Sequence, residues 1–208
     1  MERSGLIVGL GNPGQQYQRT RHNLGFMAVE ALLAWGEEEL GVQVARRKND
    51  AKHTLWELAA PSPVGRWLVL TPLTYMNRSG DAVAPVCSFY KIPADRMLVL
   101  HDELDLPLGR MKLKFGGGLA GHNGLKSIAE RLGTREFHRL RLGIGKPGQS
   151  GTTNHVLGRF SSQEETLVED LLAVALKGLC AFMGGDAQTA QQDLNSYRPL
   201  LVGDEKGS

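Results

Sequence analysis

Short apolar runs alternating with segments of helical period constrain this chain most. "GLIVGL" at residues 5–10, "RWLVLTP" at 66–72 and "RMLVLH" at 96–101 are too short for helices and read as strands, as does "HTLWELAA" at 53–60. Between them, "LGFMAVEALLAWGEEEL" from residue 24 carries Phe26, Val29, Leu32 and Leu33 at helical spacing, and a second helix is expected from about Ser79 to Tyr90, with Pro85 early in it. Further on, "HNGLKSIAERLG" forms a helix between two basic strands. "SSQEETLVEDLLAVALKGLCAFMGG" opens on a Ser161–Glu164 capping box and closes at Gly184-Gly185, and a short helix follows near Asp186 to Asn195. The expectation is a single α/β domain over 1–196, a mixed twisted central sheet flanked by helices, with a polar tail at 197–208.

The chain has 208 residues, 41% hydrophobic and 22% charged, which excludes disordered and fibrous classes. No segment approaches the ~20 apolar residues of a membrane span, so a soluble, cytoplasmic protein is expected. Cys87 and Cys180 have no metal-knuckle or disulfide spacing and read as reduced core residues.

The net charge of +2 hides an asymmetry. Between Pro107 and Lys146 nine Lys or Arg face two Glu, a local +7 that leaves −5 for the rest. Such a block is the footprint of a polyanionic partner. In "RMKLKF" the cations Arg110, Lys112 and Lys114 alternate with Met111, Leu113 and Phe115, and Arg139 and Arg141 alternate likewise in "HRLRLGIG". Extended chains therefore turn each basic set to one face, and two such strands together can clamp a phosphate.

"GLGNPG" at residues 9–14 fits a dinucleotide-binding fingerprint by letter, but the context does not follow. Pro13 removes an N–H from the turn, nine residues intervene before the helix, and the acidic residue expected ~20 positions on falls inside it as Glu30. "GGGLAGHNGLKS" fails as a phosphate loop because Leu125 separates the last glycine from Lys126. Polar residues gather instead where strands end: Asn12 and His22 after the first, Asn77 after "WLVLTPLTYM", Asp102 after "RMLVLH", and Asn123 opening a helix. A histidine oriented by Asp102, or equally by Asp105, leaves one ring nitrogen to take a proton from water. Neutral amides suit a peptide-like substrate and a developing oxyanion. With no nucleophile elbow and no cluster of metal spacing, this set permits attack of water on an activated ester, with neither cofactor nor metal.

Five blocks, "VGLGNPGQQYQRTRHNLG", "PLTYMNRSG", "HDELDLPLG", "KLKFGGGLAGHNGLKSI" and "FHRLRLGIGKP", resemble bacterial peptidyl-tRNA hydrolases in matching order. The resemblance implies a monomeric, metal-independent esterase that frees a peptide from the 3′ ribose of its tRNA. It implies that His22 is the base, that Asp102 keeps it receptive to a proton, and that Asn12 separates N-blocked from free aminoacyl-tRNA. Tyr17, Tyr75, Asn77 and Asn123 match substrate-contacting positions, and Lys112, Lys114 and Arg141 match a clamp on the tRNA 5′ phosphate. On this reading the glycines of "GLGNPG" leave room for a substrate backbone beside Asn12. A binding module that does not hydrolyse RNA needs the basic strands but not His22 and Asp102; a small-substrate esterase needs the pair but not the basic block.

Overall fold

The computed structural model describes residues 3–39, 42–148 and 151–199. The tail beyond 199 lies outside the described residues. The strands are β1 (Gly5–Gly9), β2 (Gln43–Asn49), β3 (His53–Ala59), β4 (Arg66–Pro72), β5 (Met97–Glu103), β6 (Met111–Phe115) and β7 (His138–Gly143). They form one sheet in the order β2-β3-β4-β1-β5-β7-β6. The four central strands, β4, β1, β5 and β7, run parallel, β3 and β6 flank them running the opposite way, and β2 pairs antiparallel with β3 at the edge. The sheet is therefore mixed, as expected.

Alternation sorts the strand side chains into two cores. Ile7, Val69, Leu98 and Leu100 meet α1 (Leu24–Glu39) and α5 (Ser162–Met183) through residues such as Val29, Leu32, Leu171 and Leu179. Leu6, Val8, Leu68, Leu70 and Val99 meet α2 (Ser79–Tyr90) and α3 (Asn123–Leu132) through Val83, Val86, Leu125 and Ile128. Because helices cover both faces, the central strands are buried throughout, which is why they read as unbroken apolar runs. The capping box at Ser161 forms, and α6 (Ala187–Ser196) starts at its Asp186 cap.

Four expectations change. Pro85 lies in the interior of α2, on its exposed side, where water can reach the carbonyl that its missing N–H leaves unbonded. Cys180 is only half-buried, while Cys87 is core. Strand β2 and the short helix α4 (Gly151–Leu157) carry no periodic apolar signal and were not expected. Finally, Gly9 and Gly11 of "GLGNPG" make room for the protein itself, while Gly14 borders the cavity beside Asn12. A Cβ on Gly9 would lie 2.4 Å from the Gly25 carbonyl oxygen, one on Gly11 2.6 Å from the Phe26 ring, and one on Gly25 2.3 Å from the Leu100 carbonyl oxygen. The start of α1 thus sits directly on the ends of β1 and β5, and this approach carries His22 to Asp102.

Candidate active site

His22 sits in a single 3₁₀ turn, Arg21–Asn23, fixed from both sides. Arg21 bonds both oxygens of Glu164 at 2.8 Å and the Arg159 carbonyl at 2.8 Å, while its N–H reaches the Gly158 carbonyl. The Asn23 amide accepts from the Asn12 N–H at 2.8 Å and donates to the Asn12 carbonyl at 3.0 Å. With its neighbours pinned, the imidazole presents Nδ1 to Asp102 at 2.9 and 3.0 Å from the two carboxylate oxygens. Its side chain keeps 13% exposure, enough for water to reach the other nitrogen. The sequence left Asp102 and Asp105 equal; the structure puts Asp102 in the buried end of β5 and Asp105 in an exposed turn.

A third member of this cluster was not anticipated. His122 caps α3 with Nδ1, which accepts from the N–H groups of Gly124 and Leu125 at 3.2 and 3.4 Å. Its proton is therefore on Nε2, which donates to Asp102 at 3.0 Å. The caps that sequence reading seeks are Ser, Thr, Asp and Asn, so a capping histidine gave no signal. Burial alone would raise the Asp102 carboxyl, but His122 and His22 together hold it well below the usual carboxylate range. His22, Asp102 and His122 offer ligand atoms close enough to meet one cation. His22 Nδ1 and His122 Nε2, however, already donate to the carboxylate.

His101 closes the stack edge-on to His122, with ring centroids 4.9 Å apart. Its Nδ1 donates to the Asp102 carbonyl at 2.7 Å, and burial pushes its pKa down to about 3. Burial also lowers His53 and His138. The unfolded chain binds these protons from the ordinary value of 6.5 downward and the folded chain does not, so stability is present above that value and is lost as pH falls toward 3. Denaturant midpoints should therefore drop between pH 7 and pH 5. Each such histidine contributes up to about 1.4 kcal/mol per pH unit. His101→Asn, which keeps the donor and removes the titrating site, should shallow the slope; an unchanged slope refutes the assignment.

The Asn12 side chain is oriented without ambiguity. Its Oδ1 accepts the Met76 N–H at 2.8 Å, so its NH₂ is left for a ligand acceptor. Met76 begins the turn that carries Asn77, and Gly124 packs against the Met76 sulfur, which brings the start of α3, and with it Asn123, to the same edge. Asn77 and Asn123 are exposed, Tyr17 is half-buried, and Tyr75 is 59% exposed. Neither tyrosine hydroxyl makes a hydrogen bond among the described residues. On the other side of β5, β6 and β7 pair Lys112 with Arg141 and Lys114 with Arg139, so all four cations share a face. Arg141 donates to the buried Glu103 at 2.8 Å.

Fold and site together define a class: a one-sheet α/β protein whose parallel strands end in a histidine–carboxylate site, bordered by neutral amides and a basic strand pair. Within it, the chain belongs to the peptidyl-tRNA hydrolase family, whose sequence model matches residues 6–200. It is 55% identical over 197 residues to a peptidyl-tRNA hydrolase of Oleidesulfovibrio alaskensis, covering 94% of this chain and 98% of the other. It is 53% identical to one from Nitratidesulfovibrio vulgaris, covering 96% and 100%. The crystal structure of peptidyl-tRNA hydrolase from Acinetobacter baumannii superposes with a TM-score of 0.84 at 39% identity, over 96% of this chain and 100% of that one. No helix among the described residues is long and apolar enough to cross a membrane.

Proposed function

We propose that this protein hydrolyses the ester between a peptide and the 3′ ribose of tRNA, and that His22 drives the reaction by taking a proton from the attacking water. The observation that carries this reading is the bond from His22 Nδ1 to the buried Asp102, which leaves Nε2 as the free base. Water oxygen attacks the ester carbonyl as its proton passes to Nε2. The tetrahedral oxyanion is met by amide donors, and collapse returns the proton to the departing 3′ oxygen. Asn77 and Asn123 supply further amides, and Tyr17 and Tyr75 contact the substrate. Lys112, Lys114 and Arg141 hold the acceptor end of the tRNA, with its 5′ phosphate. The reading extends to action as a monomer in the cytoplasm, where peptidyl-tRNA arises during translation.

Asn12 reads the peptide side. Its NH₂ suits a neutral acceptor such as the carbonyl of a blocked amino group, whereas a free α-ammonium beside it brings donor against donor. The expected result is release of N-acetylaminoacyl groups from tRNA with little release from unblocked aminoacyl-tRNA. Asn12→Asp should slow the first reaction about tenfold or more and narrow the preference. Equal cleavage of both substrates by the wild type would overturn the reading.

A further inference from the structure

Asn12 is 9% exposed, with Oδ1 on the Met76 N–H and an NH₂ that has no partner among the described residues. It lines a cavity of about 570 Å³ whose apolar wall is Phe26, Met27 and Leu73. A second cavity, of about 320 Å³, lies between α1 and α5 over Ala31, Ala34, Val168 and Leu172. Arg19, Met27 and Glu30 border both, so the two run together as one groove leading from Asn12 along α1. From Phe26 to Ala34 the helix rises about 12 Å, room for about four residues of extended chain.

Charge sets this groove apart from the basic strands. Its charged groups are Glu30, Glu165, Glu169 and Arg19. Arg19 reaches Glu165 at 3.4 Å from a backbone held in the left-handed region, with φ of +58°. Glu30 and Glu169 are exposed and have no ion pair among the described residues. An RNA phosphate therefore meets net negative charge here. A polypeptide instead finds aliphatic surface for its apolar side chains and carboxylates for its cations. At the entrance, Asn12, Gln15 and Gln18 offer the neutral donors and acceptors that a peptide backbone needs.

We propose that this groove is the path of the peptide in peptidyl-tRNA, and that Glu30 and Glu169 make it favour lysine or arginine among the residues preceding the esterified one. The inference rests on the reading of the substrate as peptidyl-tRNA and adds a preference to it. The molecule then divides its substrate by charge, with RNA on the cationic strands β6 and β7 and peptide between α1 and α5.

The test compares kcat/KM of the full chain on peptidyl-tRNAs that share one tRNA and one esterified residue, preceded by an N-acetylated run of three alanines, lysines or glutamates. The lysine run should be cleaved about fivefold better than the glutamate run, through KM, with alanine between them and the spread closing as salt rises. Glu30→Gln combined with Glu169→Gln should bring the three within about twofold of one another, and Glu30→Lys combined with Glu169→Lys should reverse their order. Both positions are exposed on their helices, so the exchanges leave the packing intact. Equal wild-type rates on the three runs, or a preference that survives neutralisation of both carboxylates, overturn the groove; a surviving preference with altered affinity for uncharged tRNA assigns this face to RNA instead. If the wild type fails to cleave even N-acetylaminoacyl-tRNA, the substrate reading falls; if it cleaves that substrate but shows no charge preference, the groove alone falls.

Discussion

Replacing His22 by alanine is expected to reduce release of N-acetylaminoacyl groups from tRNA by about 10³-fold or more, at the high end of what general bases contribute. The neighbourhood offers no substitute. His122 has one nitrogen on the backbone of α3 and the other on Asp102, and His101 lies buried with Nδ1 on the Asp102 carbonyl. Removing the imbalance of charge on β6 and β7 is not part of this change, so affinity for uncharged tRNA should remain within about twofold of wild type. The turn should survive as well, because Arg21 and Asn23, not His22, fasten it to the rest of the molecule. Loss in kcat with unaltered binding is the signature of a group acting in the chemical step. Turnover within a few-fold of wild type would remove His22 from the role of base.

What the sequence disclosed depended on range. The central strands are buried on both faces, so β1, β4 and β5 announce themselves as apolar runs whatever their neighbours. The basic faces of β6 and β7 followed from alternation alone, and their pairing supplied the register. β2 was silent because it is an exposed edge strand of charged residues, held by pairing with β3 rather than by burial of its own pattern. The glycines of "GLGNPG" misled in a similar way. Gly9 and Gly11 face Gly25 and Phe26 in α1, and no local rule distinguishes space kept for a helix from space kept for a ligand.

The site divides along the same line. His22, Asp102 and Asn12 could be nominated because they stand at strand ends, where α/β sheets gather ligands. Their assembly depends on contacts 80 residues apart in the chain, and so does the choice of Asp102 over Asp105. His122 stayed hidden because its significance lies in a tautomer set by α3 and read out on a carboxylate from β5. Alternation put Arg139 and Arg141 on one face, but it could not show that Arg141 is bonded to Glu103 on the strand beside it.

The second large effect is expected from Asp102→Asn, and it follows from that tautomer. In the wild type, Oδ1 receives both Nδ1–H of His22 and Nε2–H of His122, while Oδ2 lies 3.0 Å from His22 Nδ1. An asparagine here has one oxygen and one NH₂ to offer two donors. His122 cannot change its tautomer cheaply, because its Nδ1 is accepting from Gly124 and Leu125, so it claims the amide oxygen. The NH₂ then faces His22 Nδ1, and the ring is relieved only by moving its proton to Nε2. That is the nitrogen required as base. The substitution also removes the negative charge that stabilises imidazolium as water is deprotonated. Both losses fall on the chemical step, so kcat should drop by about 10²–10³ while KM for peptidyl-tRNA changes little. His122→Ala in the Asp102→Asn background distinguishes the two causes. With the competing donor gone, the amide oxygen is free to turn to His22, and part of the lost kcat should return. If the double variant is no faster than Asp102→Asn alone, the missing charge accounts for the whole effect; if Asp102→Asn is as active as wild type, the carboxylate neither orients nor assists the base.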